Sequence, residues 1–139
     1  MLEISRITKI FNAGTVNEKV ALNDLSLTIH DGDFITVIGG NGAGKSTLLN
    51  SIAGTFPVDA GNIRIDDSDI TRLPEYKRAK FIGRVFQDPM TGTAGDMWIE
   101  ENMALALRRG KRRGLGWAIT SKDRALFKEM LKELNLGLE

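Results

Sequence analysis

The chain has 139 residues, 19 basic and 18 acidic residues, a formal charge of +1 and no cysteine. This length suits one domain or part of one, and the balanced charge excludes a global attraction to nucleic acid or to an anionic membrane. The lack of cysteine excludes disulfides, thiolate zinc sites and cysteine nucleophiles, and favours a reducing, cytoplasmic compartment. The apolar runs are all far shorter than the roughly 20 residues of a membrane-spanning helix.

The start of the chain predicts an antiparallel pair of strands. Apolar residues are spaced along positions 2–10, and apolar and polar residues alternate along 25–29, as in strands with one solvated face. Asp31-Gly32-Asp33 predicts a turn into residues 34–38. That run is β-branched and almost continuously apolar, which predicts a strand buried on both faces.

Helices and strands then alternate along the middle of the chain. Residues 46–53 have helical spacing and Gly54 stands where the helix should end. A short strand at 63–65, a helix with Pro74 in its first turn and a strand at 81–86 follow.

The last third is predicted to be helical. The prolines and glycines of residues 88–95 predict a loop. Residues 98–109 and 121–134 have the spacing of amphipathic helices, and in the second Leu126, Met130 and Leu134 share a face.

The segment between the predicted strand at 34–38 and the helix after it fits a phosphate-binding loop. Residues 39–47 satisfy G-x-x-x-x-G-K-[ST] in the strand–loop–helix context that the mechanism requires. Glycines let successive main-chain N–H groups turn toward phosphate oxygens, and the helix N-terminus adds its positive dipole end. Lys45 should reach the β- and γ-phosphates, and the Ser46 hydroxyl should bind Mg²⁺. The other predicted nucleotide contacts are Gly39, Asn41, Gly42, Ala43, Gly44 and Thr47. The alternative is a glycine-rich turn followed by Lys-Ser by chance.

The loop's surroundings resemble the ATP-binding cassette (ABC) family. The resemblance rests on Leu-Leu-Asn-Ser-Ile-Ala-Gly at 48–54, Gly-Asn-Ile-Arg-Ile-Asp at 61–66 and Ala-Leu-Asn-Asp-Leu-Ser-Leu-Thr-Ile at 21–29. It implies an α/β fold, the N-terminal half of a P-loop NTPase of the ABC type. We expect an antiparallel β subdomain, an incomplete RecA-like parallel sheet and the start of a helical subdomain. The expected division is 1–90 for the β subdomain and phosphate-loop core and 91–139 for the helical part.

Two further site residues follow from the resemblance. Gln87, within Val-Phe-Gln-Asp-Pro, resembles the glutamine of the family's Q-loop, which reaches Mg²⁺ and the attacking water and links the nucleotide to the membrane partner. Phe11 stands where the family places an aromatic ring that stacks on adenine. The alternatives are an ordinary loop glutamine before a proline and a core phenylalanine.

Other family motifs are not found in the sequence. These are the apolar strand ending in Asp and Glu, the Leu-Ser-Gly-Gly-Gln type signature and the later histidine, since His30 precedes the phosphate loop. The resemblance therefore implies a chain cut shortly before the signature, with little or no ATP turnover of its own. It also implies an unpaired strand at 34–38, for which we expect self-association or low stability.

The resemblance implies an ATP-binding subunit of an ABC transporter, which uses ATP and Mg²⁺ to drive a solute across a membrane when complete and dimeric. The implied partners are a second ABC ATPase subunit, transmembrane permease subunits and a solute-binding protein, without nucleic acid. The implied location is cytoplasmic, on the inner face of the cell membrane. Two alternatives stay open: a nucleotide-binding fragment without hydrolysis, and a soluble ABC ATPase of repair or translation.

A basic cluster lies between the two predicted terminal helices. It consists of Arg108, Arg109, Lys111, Arg112 and Arg113. A solvated loop is the favoured interpretation, and contact with lipid headgroups is the alternative.

Overall fold

The computed structural model describes residues 1–111, 119–135 and 137. The chain forms two compact units, Met1–Ile82 and Gly83–Glu139. Within the described residues, no helix has the length and apolar character needed to cross a bilayer.

The first unit contains a four-stranded antiparallel sheet. Its strands are β1 (Leu2–Phe11), β2 (Lys19–Ile29), β3 (Ala60–Ile65) and β4 (Ser68–Asp69), in the spatial order β2-β1-β3-β4. The predicted antiparallel pair and the strand at 63–65 are confirmed. β4 was not predicted, because two residues are too few for a periodic pattern to appear.

Helix α1 (Lys45–Ala53) packs on this sheet through Leu48. It ends at Gly54, whose φ of 87° lies in the left-handed region, and the Gly54 N–H donates to the Asn50 carbonyl at 2.9 Å. The predicted helix and its terminating glycine are therefore confirmed. The buried core combines one apolar residue of α1 with residues of three strands and of the segment after β4: Ile4, Ile7, Leu22, Leu48, Ile63 and Ile70.

Helix α2 (Glu75–Arg78) begins after Pro74, which occupies the N-cap position rather than the first turn. Arg78, only 2% exposed, connects this helix to the end of α1. Its guanidinium donates to the carbonyls of Ser51, Ile52, Thr71 and Leu73 at 2.7 to 2.9 Å. One side chain thus satisfies four main-chain acceptors that would otherwise face the interior without partners.

The strand predictions for 34–38 and 81–86 are wrong for this structure, because neither segment has a ladder partner among the described residues. Several of their apolar side chains face solvent: Phe34 is 94% exposed, Ile38 89% and Val85 98%, whereas Ile82 packs against the core. A strand requires a neighbouring main chain to accept and donate its hydrogen bonds. The paired part of the sheet in the described residues is entirely antiparallel, and the strands and helices together give an α/β fold.

The second unit is helical. It contains α3 (Pro89–Gly92), α4 (Ile99–Leu107) and α5 (Ser121–Leu134). Both predicted long helices are confirmed. The predicted loop at 88–95 is wrong in part, because the Asp88 carboxylate caps α3 by accepting from the Met90 N–H at 2.9 Å.

Helix α5 begins with a capping box. The Thr120 hydroxyl accepts from the Asp123 N–H at 3.2 Å, and the Asp123 carboxylate accepts from the Thr120 N–H at 2.8 Å. Hydrogen bonds from the Thr120 N–H and the Thr120 hydroxyl lower the pKa of Asp123. Arg124 joins α5 to α4 through Glu100, with a distance of 2.9 Å between Nε and Oε2.

The shared apolar face predicted for α5 is not its buried face. Phe127 is buried, whereas Leu126, Met130 and Leu134 are exposed. Of the basic cluster, Arg112 and Arg113 lie outside the described residues.

Candidate functional site

The glycine-rich loop leads directly into the N-terminus of α1. Gly42 and Gly44 have φ angles of 79° and 89°, in the region that favours glycine, and Gly44 is the N-cap of the helix. The Ala43 N–H donates to the Gly40 carbonyl at 3.3 Å, and the Leu48 N–H to the Gly44 carbonyl at 2.8 Å. The first of these hydrogen bonds closes a tight turn in the loop, and the second is the first hydrogen bond of α1.

A side chain would clash at one of the loop glycines and would be crowded at another. A Cβ at Gly44 would lie 2.5 Å from the Ala21 carbonyl oxygen of β2. A Cβ at Gly39 would lie 3.2 Å from the Cβ of Ala43, across the loop. Glycine at these positions lets the loop pack on β2 and close on itself.

Lys45 folds back over the loop. Its ammonium donates to the carbonyls of Gly39 and Gly40 at 2.7 and 2.8 Å. The loop carbonyls thus hold a positive charge at the start of α1. No acidic residue stands in the first turn of that helix, so nothing in it neutralises the dipole or the ammonium.

The remaining loop residues are accessible to a ligand. Gly39, Asn41, Gly42, Ala43 and Ser46 are exposed, and Gly44, Lys45 and Thr47 are half-buried. A loop of main-chain amides, one ammonium and two hydroxyls is a donor set suited to phosphate oxygens. In the described residues there is no group of three or more acidic or histidine side chains that could hold a metal alone. A lone Ser46 hydroxyl does suit Mg²⁺ bound together with a polyphosphate, because Mg²⁺ keeps several waters and takes few protein ligands.

Phe11, at the end of β1, is half-buried and belongs to a small aromatic cluster. Its ring meets that of Phe56 edge-to-face, with centroids 5.3 Å apart and planes at 84°. The Lys9 ammonium lies 5.5 Å from the Phe11 centroid and 5.6 Å from the Phe56 centroid.

Asp59 holds the Lys9 ammonium of this cluster. Its carboxylate lies 3.1 Å from that ammonium and accepts from the Ile10 N–H at 2.6 Å. The Ile10 hydrogen bond, together with the smaller contribution of Lys9, lowers the pKa of Asp59.

Gln87 belongs to the second unit, where it is exposed and directly precedes the Asp88 cap of α3. The predicted loop residues and Phe11 belong to the first unit.

Sequence reasoning missed Phe56, Asp59 and the burial of Lys9, which is only 8% exposed. It also missed Lys19, whose ammonium would be 3.3 Å from a Cβ at Gly42. These residues lie outside the loop motif, and Lys9 is far in sequence from Phe56 and Asp59. No spacing rule connects Lys9 to Asp59, and only the packing of the loop on β2 reveals that Lys19 is near the loop.

A glycine-rich turn whose lysine and hydroxyl residues begin a helix is typical of P-loop nucleotide-binding proteins. The family described as ABC transporter matches residues 22–138 of the chain. The chain therefore belongs to the ABC transporter family.

Curated relatives share its sequence over most or all of its length. It is 40% identical over 139 residues to a tyrosine transport ATP-binding protein of Clostridioides difficile, covering 100% of this chain and 55% of that protein. It is 38% identical over 111 residues to a spermidine/putrescine import ATP-binding protein of Aggregatibacter actinomycetemcomitans, covering 80% of this chain and 27% of that one. The chain thus spans about half or less of the length of these relatives.

Solved structures have the same fold. An ATP-binding cassette in a dimeric, post-hydrolysis state with ADP and Pi superposes with a TM-score of 0.76 at 28% identity, covering 98% of this chain and 58% of that one. A nucleotide-free cassette from an ABC transporter gives a TM-score of 0.72 at 28% identity, covering 100% of this chain and 56% of that one.

Proposed function

We propose that the chain binds Mg-ATP at residues 39–47 as the nucleotide-binding part of an ABC transporter ATPase. The observation that carries the proposal is the Lys45 ammonium held over a glycine loop at the N-terminus of α1. A triphosphate placed there would receive main-chain N–H groups, the helix dipole and a flexible ammonium. We assign these phosphate contacts to Gly39, Asn41, Gly42, Ala43, Gly44, Lys45, Ser46 and Thr47.

Mg²⁺ bound with the nucleotide would neutralise part of the negative charge of the phosphates. We assign its protein ligands to the Ser46 hydroxyl and, in the assembled cassette, to the side-chain oxygen of Gln87. Gln87 would also orient the attacking water. The exposure of both side chains supports these roles, since neither is used by the core.

Phe11 is proposed as the platform for the adenine base. Its ring is half-buried and held by Phe56 and Lys9, so little conformational freedom is left to lose when a base stacks on it. Phe11→Ala should therefore weaken ATP more than free pyrophosphate, which has no base.

Hydrolysis and transport are proposed for the complete, paired protein. The names of the relatives support transport, and the dimeric cassette supports pairing with a second ATPase subunit. Permease subunits and a solute-binding protein are the further proposed partners, and they would hold the ATPase at the inner face of the membrane. The relatives' names give different solutes, so we propose none.

The test measures binding and turnover side by side. Calorimetry of the 139-residue chain with Mg-ATP should show saturable binding that depends on Mg²⁺, while phosphate release should be close to the background rate. Little turnover is expected because the 139 residues contain no Asp-Glu strand end and no signature sequence. Binding without turnover supports the proposal, and no binding at millimolar ATP rejects it.

A second candidate is a module that binds nucleotide without chemistry even when paired. The same missing residues favour it. Replacing the matching segment of a complete cassette of the family with residues 1–139 separates the two, because only the first candidate predicts phosphate release from the paired chimera, which regains the missing residues.

A further inference from the structure

Lys19 is the first residue of β2 and lies directly opposite Phe11 in the β1–β2 ladder. Directly opposite residues of an antiparallel pair are neighbours on one face of the sheet. Lys19 therefore lies beside the proposed base platform, and its side chain is exposed.

From there the side chain reaches the phosphate loop. A Cβ built on Gly42 would be 3.3 Å from the Lys19 ammonium. Apart from Gly42 and its two chain neighbours, no other described residue has an atom within 4 Å of that Cβ. Gly42 is one of the two loop glycines with a left-handed φ. The Lys19 ammonium thus borders the loop at the point where the main chain turns.

No carboxylate among the described residues forms an ion pair with Lys19. The neighbouring Glu18 carboxylate instead accepts from the Gly14 N–H at 2.7 Å. The loop therefore has two ammonium groups, Lys19 and Lys45, next to a helix N-terminus whose first turn has no acidic residue. Like charges brought together without a counter-charge favour the binding of an anion.

We propose that Lys19 is a second cationic residue of the nucleotide site and contacts the polyphosphate of a nucleoside triphosphate. This inference rests on the proposed function of residues 39–47. Lys45 approaches the loop from the helix side, and Lys19 approaches it from the sheet beside Phe11. Lys19 contributes to affinity through charge and leaves recognition of the base to Phe11.

The test is calorimetry of the whole chain with Mg-ATP, AMP and inorganic triphosphate. Lys19→Gln should bind Mg-ATP and inorganic triphosphate about five-fold more weakly, which corresponds to one close charge pair in a water-like dielectric. The loss for AMP should be much smaller, since AMP has a single phosphate. Raising the salt concentration should shrink the loss, because the contact is exposed.

Three further variants serve as controls. Lys19→Arg should stay within about two-fold of wild type because it keeps the charge. Lys128→Gln removes the same charge from an exposed position on α5 and should leave all affinities unchanged. Phe11→Ala should show the opposite pattern to Lys19→Gln, with a loss for ATP and none for inorganic triphosphate.

The outcomes separate the two proposals. Wild-type chain that fails to bind Mg-ATP or inorganic triphosphate rejects the proposed function and this inference with it. Normal wild-type binding together with unchanged Lys19→Gln affinity overturns the role of Lys19 alone. An equal loss for ATP and AMP also overturns it, because the side chain would then act on the nucleoside.

Discussion

The antiparallel sheet and the apolar segment at 34–38 have similar residue types but differ in strand pairing and burial. Ile4, Ile7 and Ile63 of the sheet are at most 1% exposed, whereas Phe34 and Ile38 are 94% and 89% exposed. The sheet strands find partners within the first 70 residues. The comparison shows that apolar, β-branched sequence makes a strand only where another main chain is available to pair with it.

Arg78→Met should have the largest effect on the sheet region. It removes the donors that satisfy the carbonyls of Ser51, Ile52, Thr71 and Leu73. We expect the free energy of unfolding to fall by about 4 kcal/mol, because each buried acceptor left unpaired is costly. Urea unfolding followed by far-UV circular dichroism measures the change. Arg72→Met, at an exposed neighbouring position, is the control and should change it by less than about 0.5 kcal/mol.

Truncating one apolar side chain in each region tests the comparison directly. Ile63→Ala should lower the free energy of unfolding by about 3 kcal/mol, since it opens a cavity in the core. Phe34→Ala should change it by less than about 0.5 kcal/mol, as expected for an exposed side chain. Equal losses in the two variants would mean that residues 34–38 are packed in solution, contrary to the structure.

Lowering the pH should reveal how much the Asp59 carboxylate stabilises the end of β1. Its pKa is lower in the folded chain than its ordinary value of 3.8, so its stabilisation is present above pH 4 and is lost as pH falls through the lowered pKa. Asp59→Asn should cost about 1 kcal/mol at pH 7, a figure reduced for the partial exposure of the pair. Unfolding at pH 7 and pH 2.5 should show this cost shrinking in acid. A cost for Asp59→Asn that persists undiminished in acid would refute the assignment.

Self-association is the smallest expected effect on folding and concerns the unpaired region alone. Exposed apolar residues at 34–38 should cause the chain to associate as its concentration rises. Light scattering should show a lower average mass for Phe34→Asp/Ile38→Lys than for wild type, with the circular dichroism spectrum unchanged. A monomeric wild type at all concentrations, with a high melting temperature, would contradict this expectation.

Local sequence patterns predicted most of the helices and strands that form within a few neighbouring residues or with an adjacent strand. The β1–β2 pair, the helix that ends at Gly54, and α5 all carry their signals within a few residues. The strands predicted at 34–38 and 81–86 failed because their pairing depends on partners that no local pattern supplies.

The candidate site was predicted in part. A contiguous motif identified the loop and its helix. The roles of the individual loop residues in nucleotide binding remain predictions. The environment of Phe11 could not be predicted, because Phe56 and Asp59 contact this end of β1 only once the segment after α1 packs against β1. Lys19 was missed for the same reason, since its distance from Gly42 depends on how the loop packs on β2.

The central claim is that residues 39–47 bind a triphosphate and that the Lys45 ammonium contributes to this binding. Calorimetric titration of Mg-ATP into Lys45→Ala tests it most directly, with the exposed Lys77→Ala as the control for general loss of charge in the same unit. We expect Lys45→Ala to bind at least about ten-fold more weakly, a loss of about 1.4 kcal/mol, while Lys77→Ala binds as wild type does. Unchanged nucleotide affinity in Lys45→Ala, in a variant whose circular dichroism matches wild type, would contradict the account.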